Sequence, residues 1–282
     1  MPQSLADYPS LHLALKNDIA FVYRRGYRTL RWTYRQVGEL AFRFARELEA
    51  RNIGKGERVM LWGDNSAEWV AAFFGCMLRG AVAVPMDRIA APDFAQRVAA
   101  DVGAKLLVCS AELSRNAGAL PHLELESLSD TLTSRASDIY SPASLSRDDP
   151  AQIIFTSGTT AEPRGVVLTH GNILTSVDPI EREIPKYRHY QRIYHPVRFL
   201  HMLPLSHVFG QTMGMFIPPV ITATVLFQDE FKPGEVIATI QRERVSVLVA
   251  VPRVVESFKN KLEADMSPAI RKHWDVAERR NS

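Results

Sequence analysis

Cysteine is nearly absent from this chain. Its two residues, Cys76 and Cys109, stand far apart, outside any Cys-x-x-Cys pair and without histidines at ligand spacing. Neither a disulfide framework nor a zinc site is encoded, and a reducing, cytoplasmic setting is expected. Long blocks of one charge sign are missing too: 34 basic and 31 acidic residues are interspersed, for a net charge of +3. That leaves no arm or patch suited to a nucleic acid, and no such partner is expected. The N-terminus, Met1 to Lys16, carries an acidic residue early and no apolar core of signal-peptide length, so no secretory signal is expected. Gly-x-Gly-x-x-Gly and Gly-x-x-x-x-Gly-Lys-Ser/Thr are absent as well, which disfavours Rossmann dinucleotide binders and P-loop kinases.

Charge disappears altogether from one stretch, Phe199 to Gln228, which holds no Lys, Arg, Asp or Glu. Its length would allow a membrane span. Pro204, Pro218 and Pro219 interrupt it, however, and Ser206, His207, Gln211 and Thr212 would be expensive in lipid. A buried strand, loop and helix are expected there, with a weak peripheral affinity for membranes as a secondary expectation.

What is present is the composition of a folded domain, 46% hydrophobic and 23% charged over 282 residues, enough for a large core. Helix and strand signals alternate. Ile19 to Tyr34 reads as a hairpin through Arg25-Gly26. Thr33 then caps a helix whose apolar positions Val37, Leu40, Ala41, Phe44, Ala45 and Leu48 follow the three-four spacing of one buried face. Arg58 to Gly63 is a strand, Asn65 or Ser66 a cap, Ala67 to Gly80 a mostly buried helix, and Ala81 to Met86 another strand. A helix near Pro92 to Asp101 and a strand at Ala104 to Ser110 follow. Periodicity is then lost between about Ser110 and Pro150, which reads as a connector. Beyond it strands and helices alternate again, with a helix expected from Asn172. Strands spaced by helices predict mainly parallel sheets covered on both faces, an α/β fold.

Thr156 to Thr160 crowds four hydroxyl side chains and a glycine into five positions, and an arginine follows at Arg164. Such a loop between two strands can turn backbone N–H groups and hydroxyls toward one point, and the guanidinium adds a fork for two phosphate oxygens. A polar turn without a ligand has the same composition. Its surroundings decide for the phosphate cradle.

The run Thr156 to Asn172 resembles the phosphate-loop signature of the AMP-forming acyl-activating superfamily, which includes acyl-CoA synthetases, luciferases and peptide-synthetase adenylation domains. Arg31 to Ala41 is similar to the family's early Thr-Tyr box, and Asn65 to Asp87 to its gallery helix and following Val-Pro strand. Met202 to Gln211 resembles the acyl-pocket motif, in a form nearest the long-chain fatty acid branch. The four motifs stand in family order over nearly the whole chain. Two loop positions depart from the pattern: Ala161 stands where glycine is usual and Arg164 where lysine is usual. The methyl of Ala161 costs about 1 kcal/mol if the backbone there takes positive φ.

The resemblance implies the large N-terminal domain of a fatty acid-CoA ligase. Such an enzyme joins a carboxylate to the α-phosphate of ATP, releases pyrophosphate, and passes the acyl group to coenzyme A. It implies Thr156, Ser157, Gly158, Thr159, Thr160 and Arg164 as the ATP-phosphate residues, with Thr156 also touching Mg²⁺. His207 is implied as the catalytic residue that orients the reacting carboxylate. His201, by contrast, reads as a packed core histidine. Phe209, Met213, Met215 and Phe216 have the composition of an acyl tunnel, but the same spacing is usual for plain core.

Several family features fall outside the sequence. The Tyr-Gly-x-Thr-Glu and Thr-Gly-Asp segments, the hinge and the lid domain with its catalytic lysine do not occur before Ser282. The expectation is a truncated architecture, with a first α/β subdomain and connector over 1–150 and a second over 151–282, incomplete at its C-terminal end. Catalysis would then belong to a longer parent, and the chain would self-associate through an exposed sheet edge. A non-catalytic ATP- or acyl-binding scaffold and an acyl-AMP ligase are the alternatives.

Overall fold

The computed structural model of the chain describes residues 3–156, 164–187, 196–228 and 232–265. From the N-terminus its elements are α1 (Tyr8–Ala14), β1 (Ile19–Arg25), β2 (Arg28–Thr33), α2 (Tyr34–Ala50), β3 (Arg58–Trp62), α3 (Ala67–Arg79), β4 (Val82–Met86), α4 (Pro92–Asp101), β5 (Leu106–Cys109), β6 (His122–Glu124) and α5 (Leu128–Thr131). They continue with β7 (Pro150–Thr156), β8 (Arg164–Thr169), α6 (His170–Glu183), β9 (Arg198–His201), α7 (Val208–Gln211), α8 (Ile217–Val220), β10 (Thr224–Phe227), α9 (Pro233–Glu243), β11 (Val247–Val249) and α10 (Pro252–Asp265).

Helix starts follow side-chain chemistry. The Thr33 hydroxyl accepts the Gln36 N–H while Gln36 returns a bond to the Thr33 N–H, and Thr169 and Asn172 repeat the arrangement for α6. That helix therefore begins at His170, two residues before the expected Asn172, because Asn172 serves as the third residue of a capping box. Ser66, rather than Asn65, caps α3 by accepting the Trp69 N–H, which leaves the Asn65 amide available for other work.

The strands form two sheets, ordered β11-β9-β10-β1-β2 and β6-β5-β3-β4-β7-β8. All neighbours run parallel except the hairpins β1–β2 and β7–β8, which is the mainly parallel α/β architecture expected. Each sheet draws strands from both sides of residue 150. The stretch expected to be a bare connector holds β6, an edge strand paired to β5, and buries Leu123, Leu125, Leu128 and Leu132. Those leucines follow neither a helical nor a strand period long enough to read from sequence.

Side chains on alternate strand faces enter different cores. Val59 and Leu61 of β3 and Phe21 and Val225 of the other sheet join α2 and α3 in one central cluster. Met60, Trp62, Leu107 and Cys109 point the opposite way, beneath α4. Val22, Leu200 and Leu226 pack on the far side of their sheet with Val236 and Phe258 of α9 and α10. Helix α3, apolar all round, is thus covered on every side. Tyr8 stacks on its Phe74 at 5.6 Å, and Phe216 approaches Phe74 edge-on at 6.1 Å.

Gly75 is where α3 meets α2, since a Cβ there would lie 2.6 Å from Phe44 Cδ1 and 3.0 Å from the Ala41 carbonyl oxygen. Gly75→Val is expected to cost roughly 2–3 kcal/mol by overpacking, read as a lowered urea midpoint. An unchanged midpoint would mean that the two helices part freely.

The uncharged stretch is distributed over β9, a loop, α7, a five-residue π-helical segment, α8 and β10. No helix among the described residues is long and apolar enough to cross a membrane. Met215 and Phe216 are fully buried core, Met213 packs against that core, and Phe209 is 62% exposed.

Candidate active site

In open parallel sheets the strands carry their loops to one end, and ligands settle where successive connections diverge to opposite sides. In the second sheet the chain steps from β3 to β4 on one side and returns across β3 to β5 on the other. The loops after β3 and β4 therefore open a crevice. Asp64 and Asn65 follow β3, Asp87 follows β4, and the described part of β7 ends at Thr156.

Asp87 is held in three ways. The Trp62 indole N–H donates to its carbonyl oxygen at 2.9 Å, the Ile89 N–H donates to Oδ1 at 3.2 Å, and Oδ2 stands 3.5 Å from His207 Nε2. The last separation is long for a hydrogen bond and suits an ion pair. Beside the Asp87 carboxylate the imidazole pKa is raised above its ordinary value, against the opposing pull of partial burial. His207 in turn holds the Asp87 carboxyl below its usual range. The His207 side chain is 59% exposed. Nearby, Arg88 pairs with Asp64 at 2.6 Å and with Glu112 at 2.9 Å, tying the β3 and β4 loops together. Asp64 titrates above the ordinary carboxylate range because burial outweighs Arg88.

His207 is the residue before α7 and ends the loop Leu203 to His207. Its N–H donates to the Pro204 carbonyl oxygen at 3.2 Å. Gly210 permits that turn, because a Cβ there would overlap the same oxygen. The loop is clamped from the other sheet by Asn65, whose Nδ2 donates to the Leu203 carbonyl and whose Oδ1 accepts the Leu205 N–H, both at 2.9 Å. Gln211 Nε2 donates to the Leu205 carbonyl at 2.9 Å, and the Gln211 and Gln152 amides exchange two hydrogen bonds of 2.8 Å. Gln152 lies on β7, the strand that runs to Thr156.

Among the expected phosphate residues, Thr156 and Arg164 face each other in register across the β7–β8 hairpin, and Arg164 is exposed. Ser157, Gly158, Thr159 and Thr160 lie outside the described residues, as does Ala161. No group of three His, Cys, Asp or Glu side chains that could hold a metal gathers among the described residues. His201 is fully buried and edge-on to Phe227 at 5.7 Å, the packed histidine expected. Cys76 and Cys109 are buried free thiols whose pKa burial pushes up.

Asp87, Gln152 and Gln211 were not singled out by sequence. One signal was available: a glutamine inside the apolar strand Ala151 to Thr156 and another in an uncharged stretch each need a buried partner.

Comparison with known proteins gives a consistent picture. A family model described as AMP-binding enzyme matches residues 14–278. A feruloyl-CoA synthase of Amycolatopsis sp is 28% identical over 259 residues, covering 91% of this chain and 50% of that protein. The long-chain-fatty-acid–CoA ligase FadD13 of Mycobacterium tuberculosis is 32% identical over 244 residues, covering 82% and 46%. The N-terminal domain of FACL13 from Mycobacterium tuberculosis, in an inhibitor-bound crystal structure, superposes with a TM-score of 0.76 at 27% identity, covering 92% of this chain and 65% of that one. The chain spans about half the length of the curated relatives it matches.

Proposed function

Because the chain belongs to the AMP-binding enzyme family, we propose that it forms the adenylating site of an ATP-dependent acid–thiol ligase. In this reading it binds a fatty acid and ATP and supports formation of the acyl-adenylate. Transfer to coenzyme A, and the full catalytic cycle, belong to a longer protein. The observation that carries the reading is the joining of two motif loops: the strand entering the hydroxyl-rich loop is hydrogen-bonded, through Gln152 and Gln211, to the loop that presents His207.

The chemistry follows from charge. Attack of a carboxylate on a polyphosphate brings an anion to an anion, so the site must neutralise both and hold them in line. Arg164 supplies a permanent cation opposite Thr156 in the β7–β8 hairpin register, and the sequence between them is rich in hydroxyls, while Mg²⁺ enters as the nucleotide's counter-ion. His207 stays protonated to higher pH because of Asp87, and an imidazolium there attracts and orients the substrate carboxylate. The carboxylate oxygen bonds to the α-phosphorus, and pyrophosphate leaves with the electron pair of the broken bond.

The long-chain acyl preference rests on the Met202 to Gln211 motif and its likeness to FadD13, and aryl acids such as ferulate are the competing class. The exposed edge strand β8, with Val166 and Val167 each 52% exposed, supports self-association of this chain. A cytoplasmic location accords with the two free thiols.

The test is calorimetric binding of Mg-ATP and of a palmitoyl sulfamoyl-adenosine mimic of the intermediate, beside acid-dependent pyrophosphate release. The chain is expected to bind both ligands and to release no pyrophosphate above background. Binding of neither would overturn this reading and the ATP- or acyl-binding scaffold with it. Release that depends on palmitate would place the first half-reaction within these 282 residues.

A further inference from the structure

We propose that Asn65 and the Gln152–Gln211 amide pair are positioning residues for the adenylation proposed above, locking the loop that presents His207 to the strand that leads into the phosphate loop. The proposal rests on that reading for its reaction, but its geometry stands apart from it.

Asn65 reads the loop backbone on both sides of Pro204, a residue with no N–H of its own, by donating to Leu203 and accepting from Leu205. Gln211 takes the one remaining Leu205 group, the carbonyl, and with its other atoms completes the exchange with Gln152. All three amides are buried, Gln152 and Gln211 at 0% exposure and Asn65 at 8%, and none is left with an unpartnered side-chain atom among the described residues. Apolar side chains of the same shape would fill this space but leave the Leu203 carbonyl and both Leu205 backbone groups without these partners, so the fully satisfied network holds the loop in one position as well as filling the space.

The network also sits where both neighbouring strands lead into the site. Gln152 of β7 pairs in register with Ala83 of β4. From that level β4 runs on to Asp87, the partner of His207, and β7 runs on to Thr156. A shift of the Leu203 to His207 loop would move the imidazole off Asp87, while the Gln152 link ties any such shift to the strand bearing the nucleotide loop. The Gly210 backbone, pressed against the Pro204 carbonyl, closes the same loop from below.

The experiment is an NMR titration of the His207 ring in the 282-residue chain, with its signal assigned by His207→Gln. Asp87→Asn sets the midpoint that His207 has without its partner. Asn65→Ala is expected to lower the midpoint toward that reference by about 0.5–1 unit, with cooperative urea unfolding retained. The double variant Gln152→Met/Gln211→Met, apolar and of similar shape, is expected to do the same and decides the question if Asn65→Ala does not fold. Both are expected to weaken the palmitoyl sulfamoyl-adenosine mimic about tenfold or more, while Mg-ATP affinity changes by less than about threefold. A His207 midpoint equal to wild type in folded variants would overturn the proposal. If the wild-type chain binds neither ligand, the adenylation reading fails, and the midpoints still decide whether the amides position His207.

Discussion

Taking the protein from pH 7 to pH 5 is expected to remove about 2 kcal/mol of stability for each of three buried imidazoles. His12 lies edge-on to Tyr34 at 5.0 Å and to Phe74 at 5.3 Å, and neither of its nitrogens has a partner among the described residues. Burial holds its pKa down to about 3. His170 accepts the Leu5 N–H at Nδ1, and burial lowers its pKa to about 4. His201, packed on Phe227, is lowered to about 4, again by burial. Each folded-state value lies below the ordinary 6.5, so the unfolded chain takes up protons first as the pH falls. The stability these groups contribute is intact above about pH 6.5 and is lost on the way down to 4, or to 3 for His12. Glu47, held low by Arg135 and Arg51 against burial, loses its contribution only at more acid pH. Urea unfolding at pH 7, 6 and 5 should show a slope approaching three protons, and His12→Leu should flatten it by one. A slope below one proton would mean that these rings are reached by water in the folded state.

Arg164→Ala is expected to weaken Mg-ATP binding by about 10- to 100-fold, the scale of one hydrogen bond to a charged group, roughly 1.5–3 kcal/mol. Arg164 is opposite Thr156 in the hairpin register and is exposed, so its removal should leave folding unchanged. Arg164→Lys restores the charge as a point rather than a planar fork, at the position where the resembled family usually has lysine, and is expected to stay within about tenfold of wild type. Calorimetry on the three proteins checks this. Equal affinity of the alanine variant and wild type would place the phosphates away from this end of the loop.

Much of the architecture was legible because the signals were local. Thr33 caps the helix that follows it, the Gly26 hairpin turns where its glycine stands, and the all-round apolar α3 is buried as its composition requires. Leu123 to Leu132 were missed because isolated leucines buried by distant elements leave no period. Within the site, His207 could be named from its motif, but its pairing with Asp87 could not. That contact joins residues 120 positions apart only because β3, β4 and β9 bring their ends together, a tertiary fact with no local trace. Asn65 or Ser66 was expected to cap α3; Ser66 does so, and Asn65 crosses to the loop that follows β9 of the other sheet.

The interleaving of the two sheets has a consequence for synthesis. The β1–β2 hairpin leaves the ribosome well before its parallel neighbour β10, to which Thr224 Oγ1 ties it by donating to the Ile19 carbonyl across 205 residues of sequence. At about 5–20 residues per second, translation leaves that strand edge without its partner for some ten to forty seconds. Over that interval β3 to β6 can already pair among themselves, so the second sheet has the means to assemble first. The first sheet must wait, and a nascent chain stalled before β10 would be the form most in need of a chaperone.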